Sequence, residues 1–336
     1  MRMAHIVPPD WEGLFKPGGY KMALAHWVLD HQTYAGVVKK QSLQFPNTYV
    51  LLDNGLFENE QRTASQLQKA IEKVGADEII LPDAFGDAKV TLEQSWEALH
   101  RLRIKRVMFV PQGSSLDQMC ECLKAWLGRF DRTHKAWELS IGISSMRRKS
   151  GSRELVRRSR IELMKRYREI NPTVALHLLG IPNVEDFATL ELPVARECRV
   201  RGVDSSLALA LGANGVHLTP SAKKIHLGTR LQEQYEAINS YNRRLIRVNQ
   251  AILSSWVSGE DPEWIDTRIL RTIASRYLKY YAEGFCSIDK VLKALGMPKG
   301  KYLLYYKLGG REGGIRYVAE EDVALRGDDS VIIEVK

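Results

Sequence analysis

The sequence predicts an α/β fold, a (β/α)8 TIM barrel, and three observations point to it. Short apolar runs of strand character alternate with helical patterns about eight times over the first two thirds of the chain. Crossovers of that length join parallel strands. Many of these runs stop at a carboxylate, an amide or a glycine, as at Asp53, Asp83, Gln112, Gly142, Gly180 and Asp204. That is the edge at which barrels and open α/β sheets do chemistry. An open doubly wound sheet is the fold alternative. It has less support, because no G-x-G-x-x-G follows the first strand and no G-x-x-x-x-G-K-[ST] occurs.

Residues 1–20 hold Pro8-Pro9, Gly13, Pro17 and Gly18-Gly19, and read as an irregular lead-in. Met22–Leu29 is the first strand candidate and Asp30–Gln41 is weakly helical. Tyr49–Asp53, Y-V-L-L-D, is a short strand apolar on both faces, and Asn54-Gly55 then turns the chain. Thr63 and Ser65 precede a helix over Gln66–Val74 that stops at Gly75. The run from Asp77 is a strand ending at Asp83, with Asp87 one turn on, followed by a helix over Val90–Leu102. Residues 106–113 form a strand ending in Gln112-Gly113, and Leu116–Leu127 a helix. Trp137–Ile143, Val174–Leu179 and Val200–Asp204 are strands, with helices at Glu154–Ile170 and Val184–Leu190. Val216–Thr219 is the candidate for an eighth strand. Beyond about residue 228 the texture changes. Long helical patterns cover Arg230–Ser258 and Thr267–Ala282, and a short one Lys290–Leu295. Tyr302–Tyr306, Ile315–Val318 and Val331–Val335 read as short strands. The expected division is a barrel over 1–228 and, over 229–336, a helical layer with a small α+β tail.

Composition narrows the function classes. No apolar run approaches the ~20 residues of a membrane span, and the N-terminus lacks the apolar core of a signal peptide. A cytoplasmic location is the expectation. The net charge of +9 favours polyanionic partners, although it fits a general surface bias as well. The four cysteines, Cys120, Cys122, Cys198 and Cys286, are too few and too scattered for a disulfide scaffold. Cys120-x-Cys122 has no second close Cys/His pair, so zinc is not expected there.

Three carboxylates and one amide gathered on a single rim imply a use, because like charges raise one another's pKa. Each has a plainer role open to it. Asp53 can cap its own turn, Asp87 the helix near Ala88, and Ser205 and Ser206 a helix start. Gln112 can satisfy loop backbone, and His177 in its apolar strand can be a satisfied core histidine. A metal-dependent barrel using Asp53, Asp83 and Asp87 is a third possibility, marked by a metal requirement.

In order and spacing, the rim motifs resemble those of the tRNA-guanine transglycosylase superfamily. The family's Asp-Ser-Gly-Gly-Phe/Tyr-Gln is similar to Asp53-Asn54-Gly55-Leu56-Phe57-Glu58, and its base-reading Asp to Asp83 of Leu81-Pro82-Asp83. Its V-Q-G-G resembles Val110-Pro111-Gln112-Gly113, its Gly-Gly segment Ile141-Gly142-Ile143, and its H-Y-L-M-G His177-Leu178-Leu179-Gly180. Its G-V-D-M-F-D-C resembles Gly202-Val203-Asp204-Ser205-Ser206. In ungapped register the nucleophilic Asp falls on Leu207. A shift of three residues puts Asp204 there, and that register is taken because leucine cannot attack a sugar. The family's Cys-x-Cys-x-x-Cys zinc site is absent, since only Cys286 remains after residue 200. The chain thus looks more like the shorter phage and genomic-island relatives that insert 7-deazaguanines into DNA.

The resemblance implies a (β/α)8 transglycosylase that exchanges guanine in DNA for a free 7-deazaguanine and uses no cofactor. Asp204 is implied as nucleophile and Asp53 as general acid/base. Asp83, Gln112 and the Gly142 backbone would read the base, and Phe57 and Leu179 would sandwich it, although both are equally core-like. The basic stretch holding Arg147, Arg148, Lys149, Arg153 and Arg157 follows the Gly142 strand and would contact phosphates, with Tyr241, Arg243, Arg244 and Arg247 extending the track. A solvated helix face is the plainer reading of its later part. A zinc-free tRNA enzyme and a non-catalytic nucleic-acid-binding partner subunit are the alternatives.

Overall fold

In the computed structural model, the described residues are 1–9, 11–15, 18–56, 60–133, 137–144, 153–181, 191–214, 218, 240–258, 300–305, 314–317 and 330–335. They fall into two compact units, one comprising Met1–Leu209 with Trp256–Gly259 and the other Ala210–Ser255 with Glu260–Lys336. The expected boundary at residue 228 and the expected helices at Val184–Leu190, Thr267–Ala282 and Lys290–Leu295 lie outside the described residues.

The first unit is a closed parallel barrel of eight strands in sequence order. They are Arg2–Ile6 (β1), Tyr20–Leu24 (β2), Tyr49–Asp53 (β3), Glu78–Ile80 (β4), Arg106–Phe109 (β5), Glu138–Ile143 (β6), Ala175–Leu178 (β7) and Val200–Ser205 (β8). Around it run helices Ala25–Asp30 (α1), Gln32–Gln44 (α2), Ala64–Val74 (α3), Ala88–Arg101 (α4), Leu116–Thr133 (α5), Arg153–Ile170 (α6) and Glu191–Glu197 (α7). Leu207–Ala213 (α8) follows β8.

The ends of the helices obey local chemistry. Thr63 and Gln66 form a reciprocal capping box at α3, and Gly75 ends that helix in the left-handed region at φ 66°. Asp87 caps α4 by accepting from the Val90 N–H at 2.9 Å.

Two expectations near the N-terminus are corrected. The first twenty residues are not an irregular lead-in, because Arg2–Ile6 is a strand. It closes the barrel by pairing with β8, Arg2 opposite Gly202 through His5 opposite Ser205. Pro8-Pro9 ends that strand instead of marking the whole segment as loop. The eighth strand is therefore not needed from Val216–Thr219, of which only Leu218 is described. The strand placed at Met22–Leu29 is Tyr20–Leu24, and Ala25–Asp30 is helical. A short apolar run does not by itself tell a buried strand from a buried helix. Register on β3, Tyr20 opposite Tyr49 through Leu24 opposite Asp53, makes the difference.

The barrel interior is layered. Ala4, Met22, Leu51, Ile80 and Met108 fill its middle, each almost fully buried. Below them, at the amino ends of the strands, lies a polar floor. Glu78 accepts from Tyr49 Oη at 3.0 Å and Ser140 Oγ at 2.5 Å, and is ion-paired with Arg201. The Arg201 guanidinium also lies over the Tyr49 ring, 5.6 Å from its centroid. Arg201 reaches the floor because β8 carries an extra residue against β7: Val200 faces Leu176, but Gly202 faces His177. Such a bulge resets the alternation of side chains.

In the second unit, helix Ser240–Ser258 (α9) packs on α8. Gly212 lets the two backbones approach, since a Cβ there would lie 2.5 Å from Ile246 Cγ1. Asn242 Nδ2 donates to Ala213 O, and Asn249 Oδ1 accepts from Leu218 N, both at 2.8 Å. Strands Gly300–Tyr305 (β9), Gly314–Tyr317 (β10) and Ser330–Val335 (β11) form an antiparallel sheet in the order β10-β9-β11. Among the described residues no helix is long and apolar enough to cross a membrane.

Removing Glu78 leaves a half-buried guanidinium without its carboxylate, which typically costs about 3–5 kcal/mol. Glu78→Ala is expected to lower the unfolding free energy by about that range in denaturant titrations. Adding Arg201→Met should recover most of the loss.

Candidate active site

The carboxyl ends of the strands bring Asp53, Asp83, Gln112 and Asp204 onto one rim. Asp53 ends β3, and its Oδ2 accepts from Gly55 N at 3.0 Å, the capping arrangement of a tight turn. Gly55 takes φ 82°, and a Cβ there would lie 2.7 Å from Glu60 O, so the turn requires glycine. Asp53 is half-buried at the barrel mouth. Asn54 turns inward instead and is buried.

Asp83 and Gln112 form the first cluster. Asn54 Nδ2 donates to Asp83 Oδ1 at 2.9 Å and to Leu81 O at 2.8 Å. Gln112 Nε2 donates to Asp83 Oδ2 at 2.5 Å, and its Oε1 accepts from Gly86 N at 3.4 Å. The loop carrying Asp83 is fastened on both sides, by Gln61 to Asp83 O at 2.6 Å and by Ser95 to Pro82 O at 2.6 Å. Burial pushes the Asp83 carboxyl up to about 6, against the lowering effect of the Asn54 and Gln112 hydrogen bonds. This carboxylate is thus oriented by two amides and poised to change charge near neutral pH.

Asp204 lies in the second cluster. Its Oδ1 is 3.1 Å from His177 Nε2, and its Oδ2 accepts from Gly180 N at 3.0 Å. On the other side of the imidazole, His177 Nδ1 is 3.0 Å from Tyr20 Oη. All three side chains are buried. Burial raises the Tyr20 pKa well above that of a free phenol. His177 is therefore the satisfied histidine expected of an apolar strand, but the partner that satisfies it is Asp204. Tyr20 and this linkage were not legible in the sequence, since nothing local ties residue 20 to residues 177 and 204.

Gly142 lies within β6, where a Cβ would come 2.8 Å from Leu179 Cδ1 and 2.9 Å from Val110 Cγ2. Its missing side chain lets Leu179 lean over the mouth, half-buried against the interior core. Leu207, the ungapped alternative to Asp204, is the first residue of α8. Ser205 does cap: its Oγ accepts from Leu207 N at 3.0 Å and donates to Ile181 O at 2.7 Å.

Phe57 and the loop residues Arg147, Arg148 and Lys149 lie outside the described residues, as do the side chains of Arg153, Arg157 and Tyr241. Several later members of the basic run have structural partners. Arg160 is buried and donates to Leu179 O at 2.7 Å. Arg166 bridges Glu162 and Asp117, and Arg168 donates to Cys198 O and Val174 O. Arg243, Arg244 and Arg247 are exposed on α9, in the second unit. Asp87 is the N-cap of α4. Among the described residues no three His, Cys, Asp or Glu side chains gather as a metal site. Burial raises the thiol pKa of Cys120, Cys122 and Cys198, which makes them poor nucleophiles.

No protein-family model and no curated protein sequence matches the chain. Solved structures align with the chain only at low similarity. The YdjI aldolase from Escherichia coli K12 is 10% identical with a TM-score of 0.44, covering 77% of this chain and 89% of its own. A family 18 chitinase from Crocus vernus is 9% identical with a TM-score of 0.35, covering 60% of this chain and 90% of its own. A putative phosphonomutase from Burkholderia cenocepacia J2315 is 11% identical with a TM-score of 0.34, covering 54% and 86%. Likeness at this level bears on neither substrate nor mechanism. The barrel rests on the closed strand order itself.

Asp83 carries a testable pH signature. Its pKa is raised in the folded state, so its contribution to stability is complete below the unfolded value of 3.8 and is lost as the pH rises through about 6. The stability difference between wild type and Asp83→Ala is expected to shrink over that interval in denaturant titrations at successive pH values. In acid, Asp83→Ala should cost about 1–3 kcal/mol, because Gln112 Nε2 is left in a buried site without its acceptor.

Proposed function

We propose that the chain is a base-exchange enzyme, a guanine transglycosylase that replaces guanine in DNA with a free 7-deazaguanine. One observation carries this reading. The same barrel rim holds a half-buried Asp53, an Asp83 carboxylate oriented by two amides, and an Asp204 carboxylate oriented by a histidine and a backbone N–H. These three carboxylates follow the order of the family's motifs, with Asp204 taken in the register shifted by three residues, and that order supports the reading.

A base cannot be exchanged within a stack, so the nucleotide is flipped out or presented single-stranded. Asp204 attacks C1′ as guanine departs, and a carboxylate suits the oxocarbenium character of that transition state. Asp53, more open to solvent, gives a proton to the leaving guanine and takes one from the incoming base. Ionised Asp83 accepts from N1–H and the 2-amino group, while Gln112 serves O6; Gly142 lies within the β6 ladder opposite His177, so its part is to leave room beside Leu179. Gln112 Nε2 already donates to Asp83, so its share in holding O6 requires the amide to turn. Leu179 provides one apolar wall of the base site and Phe57 the other. The preference for DNA over tRNA rests on the missing cysteine cluster. Phosphate contacts fall to Arg147, Arg148, Lys149, Arg153 and Arg157.

The test is incorporation of labelled guanine into DNA and tRNA, assayed separately in chelator, for wild type, Asp204→Ala and Asp53→Ala. Label entering DNA, and lost in both variants, is expected. Label entering tRNA alone would reassign the substrate. Binding without exchange into either would favour a non-catalytic partner subunit. Where exchange occurs, kcat/KM for the base should fall as the pH drops below about 6, because protonated Asp83 loses an acceptor.

A further inference from the structure

The two carboxylates of the proposed exchange are held differently. Asp53 accepts from Gly55 N in its own turn, and Asp204 ends a chain of side chains drawn from three strands. We propose that Tyr20 and His177 are positioning residues for Asp204, fixing the orientation of its carboxylate and stabilising the charge it regains when the sugar is released. This rests on the transglycosylase reading.

The direction of each hydrogen bond follows from the groups present. A carboxylate oxygen can only accept, so the proton between His177 Nε2 and Asp204 Oδ1, 3.1 Å apart, belongs to the imidazole. On the neutral ring Nδ1 is then an acceptor, and the partner 3.0 Å away is the Tyr20 hydroxyl. Burial keeps that phenol protonated, so it has a proton to donate to the neutral ring. Tyr20 thereby selects the tautomer that points N–H at Asp204. The Gly180 N–H, 3.0 Å from Oδ2, holds the second oxygen. The two donors together fix the plane of the carboxylate.

Space is made for this chain. A Cβ at Gly202 would lie 2.5 Å from Tyr20 Cε1 and 3.0 Å from His177 Nδ1. The Tyr20 ring meets the imidazole edge-on at 90°, with centroids 5.5 Å apart. A core histidine needs only any acceptor and any donor. Here β2, β7 and β8 each contribute one member, and the chain terminates on the carboxylate assigned to the chemistry.

The steps balance as follows. In the first half-reaction an Asp204 oxygen forms a bond to C1′ while the C1′–N9 bond breaks. Its electron pair leaves with guanine, which takes a proton from Asp53. In the second, N9 of the incoming base bonds to C1′, its proton goes to Asp53, and the C1′–O electron pair returns to Asp204. The His177 and Gly180 N–H groups favour the second half-reaction most, because they stabilise the carboxylate as it departs.

The test uses the full chain carrying Tyr20→Phe, His177→Leu or His177→Gln, beside wild type. Guanine exchange is measured with the kcat and KM of the base, together with a denaturant-stable DNA–protein adduct formed without incoming base. His177→Leu is expected to lower kcat by roughly 10- to 100-fold, the range of one hydrogen bond to a charged group. KM should be unchanged and the adduct should discharge slowly. His177→Gln keeps an N–H donor and should recover most of the rate, with Tyr20→Phe intermediate. If His177→Leu does not fold, Tyr20→Phe decides, because it removes a single oxygen. Variants that fold and exchange at the wild-type rate would overturn the positioning role and leave the exchange reading standing. A wild type that neither exchanges guanine nor forms an adduct would overturn the exchange reading, and this inference with it.

Discussion

The extra residue in β8 governs both ends of the barrel. In a regular strand, neighbouring residues face opposite sides of the sheet, and a slip of one residue exchanges the two faces. Arg201 and Asp204 are three apart, so an unbroken strand would send one of them outward. With Gly202 set opposite His177, Arg201 faces the floor and Asp204 still faces the interior at the rim. The ion pair that closes the bottom and the carboxylate at the top therefore depend on one local irregularity.

Above the floor lies the apolar layer of Met22, Leu51, Ile80 and Met108, and past it Tyr20, edge-on to Tyr49 of the floor with centroids 5.3 Å apart, leads through His177 to Asp204 at the rim. The floor is neutralised within itself by Glu78 and Arg201. The rim keeps carboxylates that amides, a histidine and backbone N–H groups orient, with no cation among the hydrogen-bond partners of Asp83 or Asp204 described above.

Much of the fold could be read from the chain because both signals behind it are local. Apolar runs ending at Asp53, Asp83 and Asp204 gave strands near their observed positions, and Thr63 with Gly75 bounded a helix whose caps they are. β1 was missed because prolines and glycines follow it closely, and its partner lies at the far end of the barrel sequence. β2 was displaced because Met22–Leu29 is apolar throughout, whereas only pairing with β3 shows where strand becomes helix. In the site, the turn around Asp53 and the amide of Gln112 were legible as types. Their partners were not, since Asn54, Tyr20 and His177 acquire roles only through contacts between strands. Arg160 illustrates the limit of charge counting. It belongs to a basic run and reads as surface, yet it is buried and holds the Leu179 carbonyl.

Closure of the barrel by β1 and β8 has a consequence for how the protein is made. β1 leaves the ribosome long before β8, and β8 is its second neighbour in the sheet. At ~5–20 residues per second, the intervening chain of about 200 residues takes roughly 10–40 s to synthesise. Through that time one edge of β1 is an unpaired strand edge, which is prone to improper association. Only when Ser205 has emerged can the sheet close, the bulge form and Asp204 meet His177. The nascent chain thus carries its greatest exposure during the interval before its rim exists, which is when a chaperone would matter most.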